Sequence, residues 1–334
     1  MIRTATTLPF AALLLGACAG TPATPQTYEE WVDSLPETAG FTPYHADMSM
    51  DMSFDVEAMA AGLGGVEFEQ QGDPVDMIMK ARMTGALDYA APDRLHGEME
   101  MLMDFGAMAD AGAPTSMEFA MHIVADGEML WLDPDWRSNW LADAMESGGG
   151  GFADMVFTAK ISTLVRLGES YGRMMEVVAP EMFTETSYLE MARASMDIAA
   201  WPRTFQEWFA EVRSFEVVDD EVHIVFALSE DYLDMMKAFG QAELDFMGLD
   251  GVEYFMTADL RTGVPRTLLC HMGGALGMDM RVTFETRDPA AWPDDHFRFV
   301  PPTGRERFPI DVYLDMIGSM VALGDNSAEQ DLEF

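Results

Sequence analysis

Lysine is nearly missing from this sequence. Lys80, Lys160 and Lys237 stand alone, and with the arginines they make 19 cations against 58 Asp and Glu, a formal net charge of −39. A field of that sign repels phosphate backbones and anionic headgroups, which excludes nucleic acid as a partner. Cysteine is as scarce: Cys18 and Cys270 are the two present, and if Cys18 is used for something else no disulfide can form. No stretch of about 18 apolar residues occurs, so nothing reads as a spanning helix. EF-hand spacing is missing as well, although Asp133-Pro134-Asp135 and Asp294-Asp295 put carboxylates close together. What the chain has instead is 49% apolar residues over 334 positions, enough for a sizeable core. It also has 31 methionines, which need an explanation.

The N-terminus reads as an export signal. Arg3 supplies the positive charge and residues 8–15 an apolar run, far shorter than the ~20 residues of a spanning helix. The stretch LGAC at residues 15–18 resembles the lipobox of bacterial lipoproteins. That resemblance implies that Cys18 is diacylated and becomes the first mature residue. Residues 1–17 are then a signal peptide and residues 18–27, with Pro22 and Pro25, a lipidated tether. Ala19 follows where an Asp would mark retention at the inner membrane, so the same resemblance favours the outer membrane. The chain is expected to be anchored to a membrane without crossing it.

Beyond the tether, strict alternation begins. Met48, Met50, Met52 and Phe54 are apolar while Ser49, Asp51, Ser53 and Asp55 are polar, the pattern of a half-buried strand. Met77, Met79 and Met83 share the next apolar face, followed by Met99, Met101 and Met103, and then by Phe119 and Met121. Asp126-Gly127 is a hairpin signal. From about residue 140 to 212 the alternation stops, and Phe157, Ile161 and Leu164 recur at helical spacing, predicting a helical insert. Strand patterns return at residues 215–218 and 222–228, hinged at Asp219-Asp220, and again near 252–260, 266–272, 278–285 and 296–300. Pro309 is read as opening a last helix, and residues 325–334 as a tail. A sheet apolar on one face and acidic on the other must cover the apolar face. The inserted helices are the available cover.

Four stretches, GALDYAAPDRL at 85–95, VADGEMLW at 124–131, DLRTGVPR at 259–266 and FRFVPPTG at 297–304, resemble the lipoprotein-localisation superfamily of outer-membrane lipoprotein carriers, their anchored receptors and lipid-binding lipoproteins. The resemblance implies an α+β fold, an antiparallel half-barrel of about eleven strands covered by a helical lid, over residues 28–324. It also implies a lipid or an acylated protein as the bound partner. No arginine in the insert matches the lid-locking arginine of the carrier.

The methionines allow three readings: filler of an irregular core, the lining of a cavity that repacks around acyl chains, or thioether ligands of Cu(I). Against copper, the methionines are dispersed over many strands, and His45, His96, His122, His223, His271 and His296 form no compact motif. GESYG at residues 168–172 matches the nucleophile-elbow pattern around Ser170, but it follows a helical rather than a strand pattern. The sequence therefore predicts a lipid-anchored envelope protein that binds or transfers acyl chains, with no catalytic residue, cofactor or metal. A structural or copper-buffering envelope lipoprotein with a solid methionine core is the alternative. The predicted cavity is Met48, Met50, Met52, Phe54, Met77, Met79, Met83, Met99, Met101, Met103, Phe119 and Met121; the predicted lid is Phe157, Ile161 and Leu164.

Overall fold

The alternating stretches are strands in the computed structural model, which describes residues 24–36, 41–55, 78–91, 93–105, 116–138, 155–163, 197–208, 210–230, 233, 251–274 and 276–310. The first six strands are β1 (Tyr44–Asp55), β2 (Ile78–Ala91), β3 (Arg94–Asp104), β4 (Ser116–Asp126), β5 (Met129–Trp136) and β6 (Met155–Lys160). After them come β7 (Ala210–Val218), β8 (Glu221–Leu228), β9 (Glu253–Asp259), β10 (Pro265–Met272), β11 (Leu276–Thr286) and β12 (Glu306–Pro309). All twelve belong to one open sheet of order β12-β6-β5-β4-β3-β2-β1-β11-β10-β9-β8-β7. Two meanders are thus joined where β1 pairs with β11, and every neighbouring pair is antiparallel except β12 with β6. The turns follow local chemistry. Gly127 takes φ +63° as the first of two residues between Asp126 and Met129, and Asp219 takes φ +58° in the two-residue link between β7 and β8.

Several expectations need correction. Phe157 was expected on a lid helix, yet MVFTAK at 155–160 is β6: its aromatic and β-branched residues suit a pleated surface. Val156 and Ala159 are buried there, and β6 pairs with both β5 and β12. Residues 296–300 are not a strand, because Phe297 and Phe299 turn inward to fill two small clusters with Ala90, Trp292, Val124 and Val156. Pro309 ends β12 and does not open a helix at that position. The sheet therefore has twelve strands, not about eleven, and no helical lid is present among the described residues. Most of the expected insert, and the expected last helix, lie outside those residues.

Two short helices do sit on the sheet, α1 (Tyr28–Ser34) and α2 (Trp201–Trp208), the latter entered through a 3₁₀ turn at Ile198–Ala200. Thr27 caps α1 by accepting a hydrogen bond from the Glu30 N–H at 3.2 Å. Tyr28, Trp31 and Leu35 then point from α1 into the sheet. Trp31 is fully buried and its indole N–H donates to the Leu260 carbonyl at 2.9 Å. Arg203 of α2 donates to the carbonyls of Val32 and Leu35 at 3.3 and 3.1 Å, so α2 supplies donors that the end of α1 lacks. Beneath them Val222, Ile224, Phe226, Met256, Ala258 and Leu268 are sealed from solvent. The two helices cover the side of the sheet built from β7 to β11.

Candidate functional site: a methionine-lined sheet face

Strand register turns the alternating methionines into continuous rows. Met50 stands opposite Met280 on β11 and Met83 on β2; Met83 stands opposite Met101, Met101 opposite Phe119, and Phe119 opposite Trp136. A second row runs Met278, Met52, Ala81, Met103, Met117, and a third runs Val282, Met48, Gly85, Met99, Met121. Phe54 lies opposite Met79 and extends the surface along β1 and β2. Opposed residues on neighbouring strands are about 4.5–5.5 Å apart, so the first two rows are continuous apolar stripes and the third is broken at one position. The expectation that the methionines are dispersed is corrected here, because dispersion along the chain becomes adjacency across the sheet.

Gly85 interrupts the third row between Met48 and Met99. A Cβ there would come within 2.9 Å of the Glu98 carbonyl oxygen, so the strands approach too closely for any side chain. The missing side chain leaves a low point in the methionine surface.

The two halves of this face differ in sealing and in composition. Under α1 and α2 the residues are chiefly Val, Ile, Phe, Leu and Ala and are buried; across β1 to β4 they are chiefly Met and only half-buried. If methionine served only as core filler, it would be expected to concentrate where the core is sealed. It concentrates where the sheet remains partly accessible, which suits an adaptable surface. At the margin of this surface Phe119 packs on Trp136 with ring centroids 4.8 Å apart, and the buried Trp136 indole N–H has no acceptor among the described residues. An unpaired buried donor is costly, and a carbonyl or ester oxygen would satisfy it.

Burial pushes the Cys270 thiol up, away from the reactive thiolate, and burial together with Tyr89 and Asp197 pushes the Tyr44 phenol well above its usual value. Of the predicted cavity residues, Met48, Met50, Met52, Phe54, Met79, Met83, Met99, Met101, Met103, Phe119 and Met121 share the face; Met77 lies outside the described residues. Of the predicted lid, Phe157 stacks edge-on against Phe308 at 5.7 Å, Ile161 begins a helical stretch directly after β6, and Leu164 lies outside the described residues. Cys18 and Ser170 are outside them too.

The histidines are what the sequence reading missed. His45, His96 and His122 alternate onto the opposite, acidic face, and the segment after β11 brings His296 over them. The available signal was parity: each of the three strand histidines is out of phase with its methionines.

Compared with family models and with curated proteins, the sequence gives no match. Among solved structures, a LolA superfamily protein from Nitrosomonas europaea is similar at 8% identity, over 83% of this chain and 98% of that one, with a TM-score of 0.16. A likeness that weak carries no argument about this chain.

Proposed function

We propose that the protein is a lipid-anchored envelope lipoprotein whose methionine-lined sheet face binds acyl chains of lipids or of acylated proteins, without catalytic chemistry. The observation that carries this reading is the contrast within one sheet face: methionine rows stay half-buried on β1 to β4, while on β8 to β10 Val222, Ile224, Phe226, Met256, Ala258 and Leu268 are buried beneath α1. Each CH₂ moved from water to such a surface contributes about 0.8 kcal/mol, and unbranched thioether side chains accommodate chains of varied shape. The Gly85 low point and the Trp136 N–H, which has no acceptor among the described residues, give that surface a place for bulk and a donor for a headgroup-proximal oxygen. Anchorage through Cys18 would hold the face near the membrane from which acyl chains come, in keeping with the outer-membrane location that Ala19 favours.

Copper buffering is the weaker reading. The sulfurs form stripes bounded by Phe54, Phe119 and Trp136, an apolar floor, whereas a Cu(I) site needs a few sulfurs converging on one point. Mass spectrometry of protein gently extracted from membranes tests the proposal. Co-purifying fatty acid or phospholipid is expected; protein free of lipid after mild extraction contradicts it.

A further inference from the structure

The acidic face carries a second gathering of residues, independent of the acyl-binding reading. His122 stands directly opposite Glu98, and His96, two positions before Glu98 on β3, stands opposite Val124. His96 and His122 are therefore diagonal neighbours on one face, placed by backbone register. Their rings meet edge-on with centroids 4.9 Å apart, and the His296 ring lies 4.5 Å from His96 on its other side. Four of the six histidines in the chain converge here from β1, β3, β4 and the segment after β11.

The members of the cluster divide into those that are satisfied and those that are not. Asp88 accepts from His45 Nδ1 at 2.8 Å with one oxygen and from His296 Nε2 at 2.7 Å with the other. His45 Nε2 also reaches Asp47 at 3.3 Å, and Trp292 stacks against His296. That chain is closed, and it fixes His296 as the wall against which His96 rests. Asp133, opposite His122 in register, forms an ion pair with Arg305 at 3.1 Å, although its buried Oδ1 makes no hydrogen bond among the described residues. His122 Nε2 is buried with no hydrogen-bond partner among the described residues. A buried ring nitrogen left unpaired is costly unless something else uses it.

The structure assigns to His96, Glu98 and His122 a binding site for a divalent transition-metal ion of the Zn²⁺ class. One ligand atom from each residue lies within 4.8 Å of the others. Donors around one tetrahedral Zn²⁺ sit about 3.3 Å apart, given Zn–N and Zn–O bonds near 2.0–2.1 Å. Closing that gap takes small side-chain rotations, and Glu98, which is exposed, is free to make the larger one. Two imidazoles and a carboxylate suit Zn²⁺, Cu²⁺ or Ni²⁺, whereas Mg²⁺ and Ca²⁺ demand oxygen. Burial, with His122 and His296 beside it, lowers the His96 ring below its usual value and favours the neutral form that can donate a lone pair. Glu98 and His122 also line a cavity of about 630 Å³ that includes Asp133, Arg137 and Arg305. An ion held by three protein ligands would thus keep a fourth position toward a chamber with two guanidinium groups, the arrangement of an exchangeable site.

The test is Zn²⁺ titration of the full-length protein, stripped with chelator, against a zinc-binding dye in physiological salt and millimolar Mg²⁺. The salt and Mg²⁺ occupy the acidic surface without competing for imidazole. One Zn²⁺ per chain is expected, weakened about tenfold or more by Glu98→Gln and by His122→Gln. His271→Gln should leave binding unchanged, since that ring pairs with Asp279 at 2.7 Å away from the cluster. Glu98 is exposed, so Glu98→Gln decides the matter even if His122→Gln does not fold. Zinc binding abolished by Mg²⁺, binding indifferent to Glu98→Gln, or no binding at all overturns the assignment.

Discussion

Met50 and Met83 stand directly opposite each other in the β1–β2 pair, with Met280 on the far side of Met50 and Met101 on the far side of Met83. Four strands thereby bring four methionines into one line, which runs from Met280, at the edge of the core under α1, across β1, β2 and β3, which α1 and α2 leave uncovered. The relationship separates two parts of one sheet face: a sealed side under α1 that holds the fold together and a half-buried methionine side, to which we assign the binding role.

The sealed side predicts where stability resides. Trp31 is fully buried, contacts Phe215 at a ring-centroid distance of 5.9 Å, and gives its N–H to Leu260. Trp31→Ala should destabilise the protein by about 3–5 kcal/mol, measured by chemical denaturation. A loss below about 1 kcal/mol would mean that α1 is dispensable to the core.

The anchor makes a separate prediction. Cys18→Ser should move the protein from the membrane fraction to the soluble envelope fraction without changing its melting temperature. Continued pelleting with membranes through salt washes would contradict the lipobox reading.

The turn between β9 and β10 predicts a pH dependence. Burial raises the Asp259 carboxyl, but hydrogen bonds from the Thr262 N–H and hydroxyl, the Arg261 N–H and Arg266 outweigh it and leave the group below its usual value. A carboxyl depressed in the folded state adds stability above its unfolded pKa, and that stability is lost as pH falls through the folded value. Asp259→Ala should therefore cost on the order of 1 kcal/mol at neutral pH, and the cost should shrink below about pH 4. A difference between wild type and variant that is flat from pH 7 to pH 3 would show that the carboxylate charge contributes nothing.

The strands were legible where the period was long and the polar partners regular. Met48 to Asp55 alternates without a break, and the two-residue turns at Gly127 and Asp219 were visible as turn chemistry. β6 was not legible, because Phe157, Ile161 and Leu164 fit a helical spacing equally well and six residues are too few to choose a period. Phe297 and Phe299 alternate like a strand, yet they serve as plugs for the polar face and find no ladder partner. The methionine face was readable strand by strand, but its rows depend on register across β1, β2, β3 and β11, which a single sequence does not display. The histidine cluster was harder still. His296 reaches His96 through the path of the segment after β11, and nothing local to either residue encodes that path.

Binding of a fluorescent fatty acid to two aspartate variants one residue apart tests the central claim most directly. Met101 points to the methionine face between Met83 and Phe119, whereas Leu102 points to the opposite face and is 43% exposed. An unpaired charge at position 101 would have to be desolvated beneath a bound chain, at a cost of several kcal/mol. Wild type and Leu102→Asp should bind the probe saturably and alike, and Met101→Asp should bind it at least tenfold more weakly while remaining folded. Equal binding by both variants, or none by the wild type, would contradict the assignment of the methionine face to acyl chains.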